Sequence, residues 1–185
     1  MDLSRLELHY DRERWDRAQS VYGMLYWLRI KHPKTYQVLK PNIHRYLVAN
    51  CERIWHLLPN KNSRLGIECA KAWLRGEMSE MELYQKNYYV EGAAFFFDYA
   101  KDEEDIEEIK TLIDGTPELL SLDFDQARNK LKDAAYLADK AMMFPFLKGA
   151  TWRWWSRKDY LLDPELFRKF LPAKKVFDCV STQID

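Results

Sequence analysis

The chain has 185 residues, a length that fits one domain, because chains usually divide only beyond about 250 residues. Its 47% hydrophobic and 15% aromatic content is ample for a core and excludes intrinsic disorder as the main state. Lys plus Arg and Asp plus Glu both number 29, so no global charge excess points to nucleic acid or an anionic membrane.

The cysteines and the N-terminus indicate the compartment. Cys51, Cys69 and Cys179 form no CxxC pair, which argues against a disulfide framework or a zinc knuckle. The first residues alternate in charge where a signal peptide needs an apolar run, and no uncharged stretch approaches the roughly 20 residues that span a bilayer. The sequence therefore predicts a cytoplasmic protein with no membrane partner.

Apolar residues at spacings of three and four predict helices along the first part of the chain. A first helix is expected over 11–30. A second is expected from Pro41, in its first turn, to a stop at Pro59. A third covers 62–75 and is followed by Gly76, a residue typical of helix C-termini.

A fourth helix is predicted from Ser79, which forms a capping-box pair with Glu82, to about Lys101. Apolar and aromatic side chains occupy almost every side of this helix, so we expect it to lie buried at the centre of the fold. These residues are Leu83, Tyr84, Tyr88, Tyr89, Val90, Ala93, Ala94, Phe95, Phe96, Phe97 and Tyr99.

The strongest charge block of the chain follows. Residues 102–125 carry ten acids against one base, Lys110, for a local net charge of −9. Gly115, Thr116 and Pro117 divide the block into a short acidic helix and a connector.

The next predicted helix starts at Asp123 or Asp125 and runs to about Phe144. One side of this helix carries an apolar seam, most of whose side chains are small and permit close helix approach. The seam consists of Phe124, Ala127, Leu131, Ala134, Ala135, Ala138 and Ala141.

The C-terminal segment 148–175 is basic and rich in Trp, with eight bases and three acids. Asp163 and Pro164 indicate the start of a short helix, and 175–184 is the only modest strand candidate. The predicted fold is all-α: a single domain over 1–185, arranged as a multi-helix bundle or orthogonal array of about five to seven helices, with the basic segment packed on it.

Metal and catalytic chemistry have weak signals. None of the four histidines stands in a metal-binding spacing, and His44 and Cys51, which could share a helix face, do not converge with His56. Cys69 fits a small buried hydrophobe better than a reactive thiolate. We therefore predict no metal site, no cofactor and no catalytic residue.

Two segments are candidate binding surfaces, and the first is acidic. Six acids lie within seven positions and repel one another unless a partner supplies positive charge, whereas an ordinary solvated face usually alternates in sign. The predicted partner-binding residues are Asp102, Glu103, Glu104, Asp105, Glu107 and Glu108. The alternative is an ordinary charged surface.

The second candidate surface interleaves aromatic and basic side chains: Trp152, Arg153, Trp155, Arg157 and Lys158. Such a mixture can stack bases and neutralise phosphates, and Trp and Arg also dominate protein interfaces. The alternative is that Trp152 and Trp155 anchor the core while the bases cover the outside.

The segment CERIWHLLPNKNSRLGIECAKAWLRGEMSEMEL carries a family resemblance. Its matching residues are Ile67, Glu68, Ala70, Ala72, Trp73, Leu74, Arg75, Gly76, Glu77 and Ser79. The stretch from Asn50 to Ala94, together with Asp133 to Ala141, resembles the immunity proteins of bacterial polymorphic toxin systems. The resemblance implies an all-helical, non-enzymatic protein that neutralises a cognate toxin by occluding it. The aromatic residues of the fourth helix and the Trp-rich tail depart from the family pattern.

The leading functional hypothesis is thus a non-enzymatic binding protein with a protein partner, which could be a toxin domain. The alternatives are an enzyme with a site in the aromatic core, using His44, and a nucleic-acid module using the Trp and Arg tail. A deep cavity lined by polar groups would favour the enzyme, and a convex surface would favour the binding protein. The sequence leaves the partner's identity and the oligomeric state open, with nucleic acid the less favoured partner.

Overall fold

The structure is a computed structural model that describes residues 9–147 and 159–182. Within these ranges the chain forms α-helices and no strand, which confirms the all-α class. The helices are α1 (Arg12–Arg17), α2 (Val21–Lys31), α3 (Pro33–Arg53), α4 (Lys61–Leu74), α5 (Glu80–Tyr99), α6 (Glu103–Asp114), α7 (Phe124–Met143), α8 (Pro164–Phe170) and α9 (Ala173–Ser181). None of them is both long enough and apolar enough to cross a bilayer.

The described chain divides into two compact units. The first contains residues 9–46 and 159–182, and the second contains residues 47–147, so the division falls within α3. The expectations of a single domain and of a bundle or orthogonal array stay predictions.

The first unit has an aromatic core around Trp15, whose side chain is fully buried. The Trp15 indole N–H donates a hydrogen bond to the carbonyl of Leu171 at 2.9 Å. The rings of Trp27 and Phe167 lie 5.9 and 5.8 Å from the ring of Trp15, in tilted arrangements. These contacts join the two sequence segments of the unit, because Leu171 and Phe167 lie more than 150 positions after Trp15.

Three local predictions in the first unit are wrong. The helix expected over 11–30 is interrupted at residues 18–20, where Ser20 starts α2 by accepting a hydrogen bond from the Gly23 N–H. Pro41 lies inside α3 instead of in a first turn, since α3 begins at Pro33. The strand candidate is helical from Lys175 to Ser181, where its adjacent apolar residues Val176 and Phe177 lie on α9, and its residues 183 and 184 lie outside the described ranges.

Most helix starts of the second unit are confirmed. Asn60 starts α4, two positions before the predicted cap, and its side chain accepts from the N–H groups of Asn62 and Ser63. Gly76 has φ +74, as a helix C-terminus ending in glycine requires. The capping box of Ser79 and Glu82 starts α5. The side-chain caps reduce the cost of unpaired N–H groups at each helix start.

Helix α7 is the centre of the second unit. It packs against α4, α5 and α6. The predicted alanine seam is confirmed, with every alanine in it fully buried: Ala127, Ala134, Ala135, Ala138 and Ala141. Because an alanine side chain is a single methyl group, neighbouring helices approach the α7 backbone closely there.

The prediction that α5 lies buried at the centre is wrong. Twelve of its 20 residues are exposed, and only one apolar face is buried. That face consists of Leu83, Val90, Ala93, Ala94 and Phe97 and packs against α4 and α7. Trp73 of α4 is half-buried, with its ring 5.7 Å from that of Phe146.

The contact of α4 with α5 depends on Gly66. A Cβ at this position would lie 2.7 Å from Cγ1 and 3.1 Å from Cγ2 of Val90. A valine side chain is stiff about χ1 and cannot swing aside at low cost.

We therefore expect Gly66→Ala to lower the free energy of unfolding by about 1 to 2 kcal/mol, since overpacking outweighs the gain in helix propensity. Urea unfolding measures the change. The matched control is Gly92→Ala on α5, where a Cβ meets nothing within 4 Å and a gain of about 0.5 to 1 kcal/mol is expected. In a Val90→Ala background the loss should disappear; an equal loss in both backgrounds would contradict the proposed clash.

Asp139 of α7 provides a test of pH dependence. It is 1% exposed, and its carboxylate accepts a hydrogen bond from the Lys140 ammonium at 2.5 Å. Burial raises the pKa of Asp139 above its ordinary value of 3.8, and Lys140 only partly opposes this rise. A carboxyl whose pKa is higher in the folded state favours folding when protonated, so this contribution is present at low pH and is lost as the pH rises through the raised pKa.

Relative to Asp139→Asn, the wild-type protein should therefore gain stability as the pH falls from 7 to about 4. Urea unfolding of both proteins over that range measures the difference. A constant difference between the two proteins would contradict a raised pKa.

Candidate functional site

The main exposed feature of the second unit is an aromatic face on α5. It consists of Met81, Tyr84, Tyr88, Phe95 and Tyr99, which are spaced at three, four and seven. Exposure reaches 78% for Tyr88 and 72% for Tyr99, and Tyr89 next to them is 54% exposed. Single exposed apolar residues are normal on a protein surface. A row of exposed tyrosines on one helix face is instead typical of a binding surface.

Helix geometry explains why this face points to solvent. At 100° per residue, the aromatic face lies on average about 155° around the helix from the buried residues Leu83, Val90 and Phe97. The residues of the buried face are smaller on average and fit against α4 and the alanine seam of α7. The larger rings occupy the more exposed side, where the Phe95 ring still contacts the Tyr136 ring of α7.

The acidic segment, residues 102–108, forms the start of α6. Asp102 is the N-cap, and its side chain accepts a hydrogen bond from the Asp105 N–H at 2.9 Å. Glu103 and Glu104 lie in the first turn, where a negative charge is favourable because the unpaired N–H groups carry partial positive charge. Part of this acidic segment therefore has a structural role.

Five of the six predicted acids are exposed, and Asp105 is half-buried. Glu107 forms an ion pair with Lys110 one turn later. Ile109 and Ile113 are buried on the other side of α6, and this helix packs on α7. Five of the six predicted acids are thus accessible to solvent on a helix whose other side packs on α7.

The end of α5 is held by Arg128 of α7. Its guanidinium donates hydrogen bonds to the carbonyls of Phe97, at 2.6 Å, and Ala100, at 3.2 Å. The chain then passes from Tyr99, the last residue of α5, to Asp102 in three positions. This short connection places the acidic segment next to the end of the aromatic face.

A second contact between α5 and α7 orders the same region. The Tyr136 hydroxyl donates a hydrogen bond to Asp98 at 2.5 Å, and Lys132 forms an ion pair with Asp98 at 3.2 Å. Burial and the Asp98 carboxylate raise the pKa of Tyr136 well above its ordinary value. Burial would raise the pKa of Asp98, but the hydrogen bonds from Tyr136 and Lys132 outweigh it and lower that pKa. The Tyr136 ring also meets the Phe95 ring at 6.0 Å, edge to face.

A groove of about 490 Å³ lies between the aromatic face and the acidic segment. Its aromatic lining residues are Tyr88, Tyr89, Phe95 and Phe96, and its acidic ones are Glu91 and Glu108. The rings of Tyr88 and Tyr89 stand nearly perpendicular, 5.7 Å apart. Asn60 and Asn62, at the start of α4, close one side.

The two groove carboxylates differ from Glu107 and Glu118, two nearby acids that form ion pairs. Glu118 pairs with His56 and Lys130, and Glu107 pairs with Lys110. Glu91 and Glu108 form no ion pair within the described ranges, and no base is found among the described lining residues. The groove therefore combines uncompensated negative charge with aromatic walls.

The other sequence candidates fall elsewhere. Trp152, Arg153, Trp155, Arg157 and Lys158 lie outside the described residues. His44 is buried, at 3% exposure. Burial also raises the pKa of both Cys51 and Cys69, which disfavours a reactive thiolate.

No group of three or more His, Cys, Asp and Glu residues in the ranges 9–147 and 159–182 is arranged to hold a metal ion.

The acidic residues of this candidate surface were predicted from the sequence, whereas the aromatic residues of α5 were assigned to the core. The signal was present as a second apolar row on α5, at the spacing of Tyr84, Tyr88, Phe95 and Tyr99. Two apolar rows on one helix predict burial on both sides unless a neighbour is known to be missing from one side. That information comes only from the packing on α7.

No family model, curated protein or solved structure matches the chain in sequence and structure comparisons. The resemblance of 50–94 and 133–141 to immunity proteins stays a prediction.

The two kinds of acid at this surface can be separated by their effect on stability. Asp102→Ala removes the α6 cap and should lower the free energy of unfolding by about 0.5 to 2 kcal/mol. Glu108→Gln should change it by no more than about 0.5 kcal/mol, because Glu108 is exposed and unpaired. Urea unfolding of both variants measures the difference. Equal losses would mean that Glu108 supports the fold and is not simply a surface charge.

Proposed function

We propose that the protein is a non-enzymatic binding protein that docks a basic protein partner on the aromatic face of α5 and the acidic segment of α6. The observation that carries this proposal is the row of exposed tyrosines on α5, with Tyr88 78% exposed, next to uncompensated carboxylates. Tyrosine provides a large, rigid contact area with a polar tip and is enriched at protein interfaces.

The charge of the surface selects the class of partner. The acidic segment attracts a basic surface over the distance of a Debye length and increases the rate of encounter. The aromatic face then supplies the short-range contacts that determine how slowly the complex dissociates. A basic toxin domain occluded by this surface is the partner that the resemblance to immunity proteins implies.

The form of the groove between α5 and α6 supports binding over catalysis. It is open along the surface, and its polar lining consists of carboxylates, amides and tyrosine hydroxyls, with no His, Cys or Ser among its described residues. We place the interaction in the cytoplasm, because all three cysteines are free thiols, as is usual in a reducing compartment.

The experiment begins with affinity capture from the native source, using wild-type protein and a Tyr84→Ala/Tyr99→Ala variant in parallel. A partner is accepted only if it is basic and is lost with the variant. Its association rate is then measured over a salt series. Capture of no such protein would contradict the proposal.

The steering variant is Glu103→Gln/Glu104→Gln/Glu107→Gln, which leaves the Asp102 cap and both groove carboxylates in place. We expect association to slow by about tenfold at low ionic strength and to converge on the wild-type rate at high salt. The matched control, Glu13→Gln/Asp16→Asn/Glu165→Gln, removes the same charge from exposed positions of the first unit. If both variants slow association equally, the effect comes from net charge alone. That result would contradict a local docking surface.

The aromatic contribution is tested on the dissociation rate. Tyr84→Ala or Tyr99→Ala should each speed dissociation by about tenfold or more, since a buried interface tyrosine commonly contributes over 1.4 kcal/mol. Tyr160, which is 59% exposed in the first unit, provides the control Tyr160→Ala. Unchanged dissociation in both α5 variants would exclude the aromatic face from the interface.

A further inference from the structure

We propose that the groove between α5 and α6 receives an arginine side chain of the partner, stacked on the aromatic walls and paired with Glu91 and Glu108. This inference rests on the proposed function and specifies the chemistry of its contact. It is carried by the groove's shape, by its aromatic lining and by the absence of a base among the lining residues in the ranges 9–147 and 159–182.

The aromatic walls favour a cation. Tyr88, Tyr89, Phe95 and Phe96 all line the groove, and the perpendicular pair Tyr88 and Tyr89 forms a corner. The face of an aromatic ring is negative and attracts a cation within about 6 Å of its centroid. The two tyrosines and two phenylalanines that line the groove therefore favour binding of a cationic group from several sides.

The carboxylates strengthen the same preference. Glu91 is half-buried on α5, Glu108 is exposed on α6, and both reach the groove from different helices. A carboxylate close to apolar rings is less well hydrated than one in open water, so a pairing cation gains more there. An anionic or neutral ligand would leave both charges uncompensated.

Arginine fits this combination better than lysine or a quaternary ammonium group. A guanidinium is planar, so it can stack on a ring while its edge donates paired hydrogen bonds to a carboxylate. A lysine ammonium is more strongly hydrated and cannot stack, and a quaternary ammonium has no N–H to donate to Glu91 or Glu108. The groove offers both stacking faces and carboxylates.

Gly92 leaves space for the ligand at the floor of the groove. It lines the groove on α5, and a Cβ added there would meet nothing within 4 Å. A ligand can therefore approach the α5 backbone between Tyr88 and Phe95. The same space permits a filling substitution, Gly92→Leu, which leaves the aromatic rings and both carboxylates unchanged and raises helix propensity.

The test uses capped pentapeptides of sequence Gly-Ala-X-Ala-Gly, in which X is arginine, lysine or citrulline. Citrulline matches arginine in shape but carries no charge. Binding to the ¹⁵N-labelled full chain is followed by amide chemical shifts. We expect the arginine peptide to shift signals of α5 and α6 around Gly92, with affinity about threefold lower for lysine and about tenfold lower for citrulline.

Three variants localise the binding. Glu108→Gln and Gly92→Leu should each weaken the arginine peptide by about fivefold or more. Asp114→Asn, which neutralises another exposed acid of α6 outside the groove, should have no effect. The amide spectrum of each variant shows whether it is folded. We expect Gly92→Leu to keep its fold.

Three results would overturn the inference: equal affinity for the citrulline peptide, shifts that map away from the groove, or unchanged binding by Gly92→Leu and Glu108→Gln. Groove signals that shift on dilution of the protein alone, with no competition by the arginine peptide, would assign the groove to a second copy of this chain and also overturn it. If the peptide fails while partner association still depends on Glu103, Glu104 and Glu107, the arginine site is wrong and the proposed function stands. If the peptide binds but the steering and tyrosine variants have no effect on the partner, the proposed function fails instead.

Discussion

The packing of α4 and α5 on the alanine seam of α7 is the constraint on which the second unit depends. Because the side chains of Ala134 and Ala138 are single methyl groups, neighbouring helices approach the α7 backbone closely there. The close contact of Gly66 with Val90 reflects the same tight packing between α4 and α5. With Leu83, Val90 and Phe97 committed inward, the remaining rings of α5 are left at the surface.

The acidic segment shows how one stretch of sequence can serve both stability and binding. Asp102 completes the start of α6, and Glu103 and Glu104 benefit from the positive end of the helix, so these acids have a local reason to be present. Glu108 has no such reason: it lies beyond the first turn and is unpaired. In the proposed function, such a charge beside aromatic rings serves recognition of a cationic partner.

The first unit depends on a contact between distant segments. Its helices α1, α8 and α9 have six, seven and nine residues, lengths at which an isolated helix is not stable in water. The buried indole of Trp15 and its hydrogen bond to Leu171 hold the short helices through tertiary packing. The Arg168 guanidinium donates a hydrogen bond of 2.6 Å to the carbonyl of Ala18, which lies between α1 and α2.

The sequence alone determined the helical class, the start of α5 at Ser79, the alanine seam of α7 and the cluster of acids at the start of α6. These features depend on spacing and on side chains within a few positions, which a linear chain displays directly. Only the tertiary structure decided that α7, not α5, is central, that Tyr84, Tyr88 and Tyr99 are exposed, and that Glu91 and Glu108 meet in one groove. The physical reason is that a row of apolar residues favours burial of that helix face, whereas actual burial requires a neighbouring helix to cover it. The number and position of those neighbours are set by contacts between residues far apart in the chain.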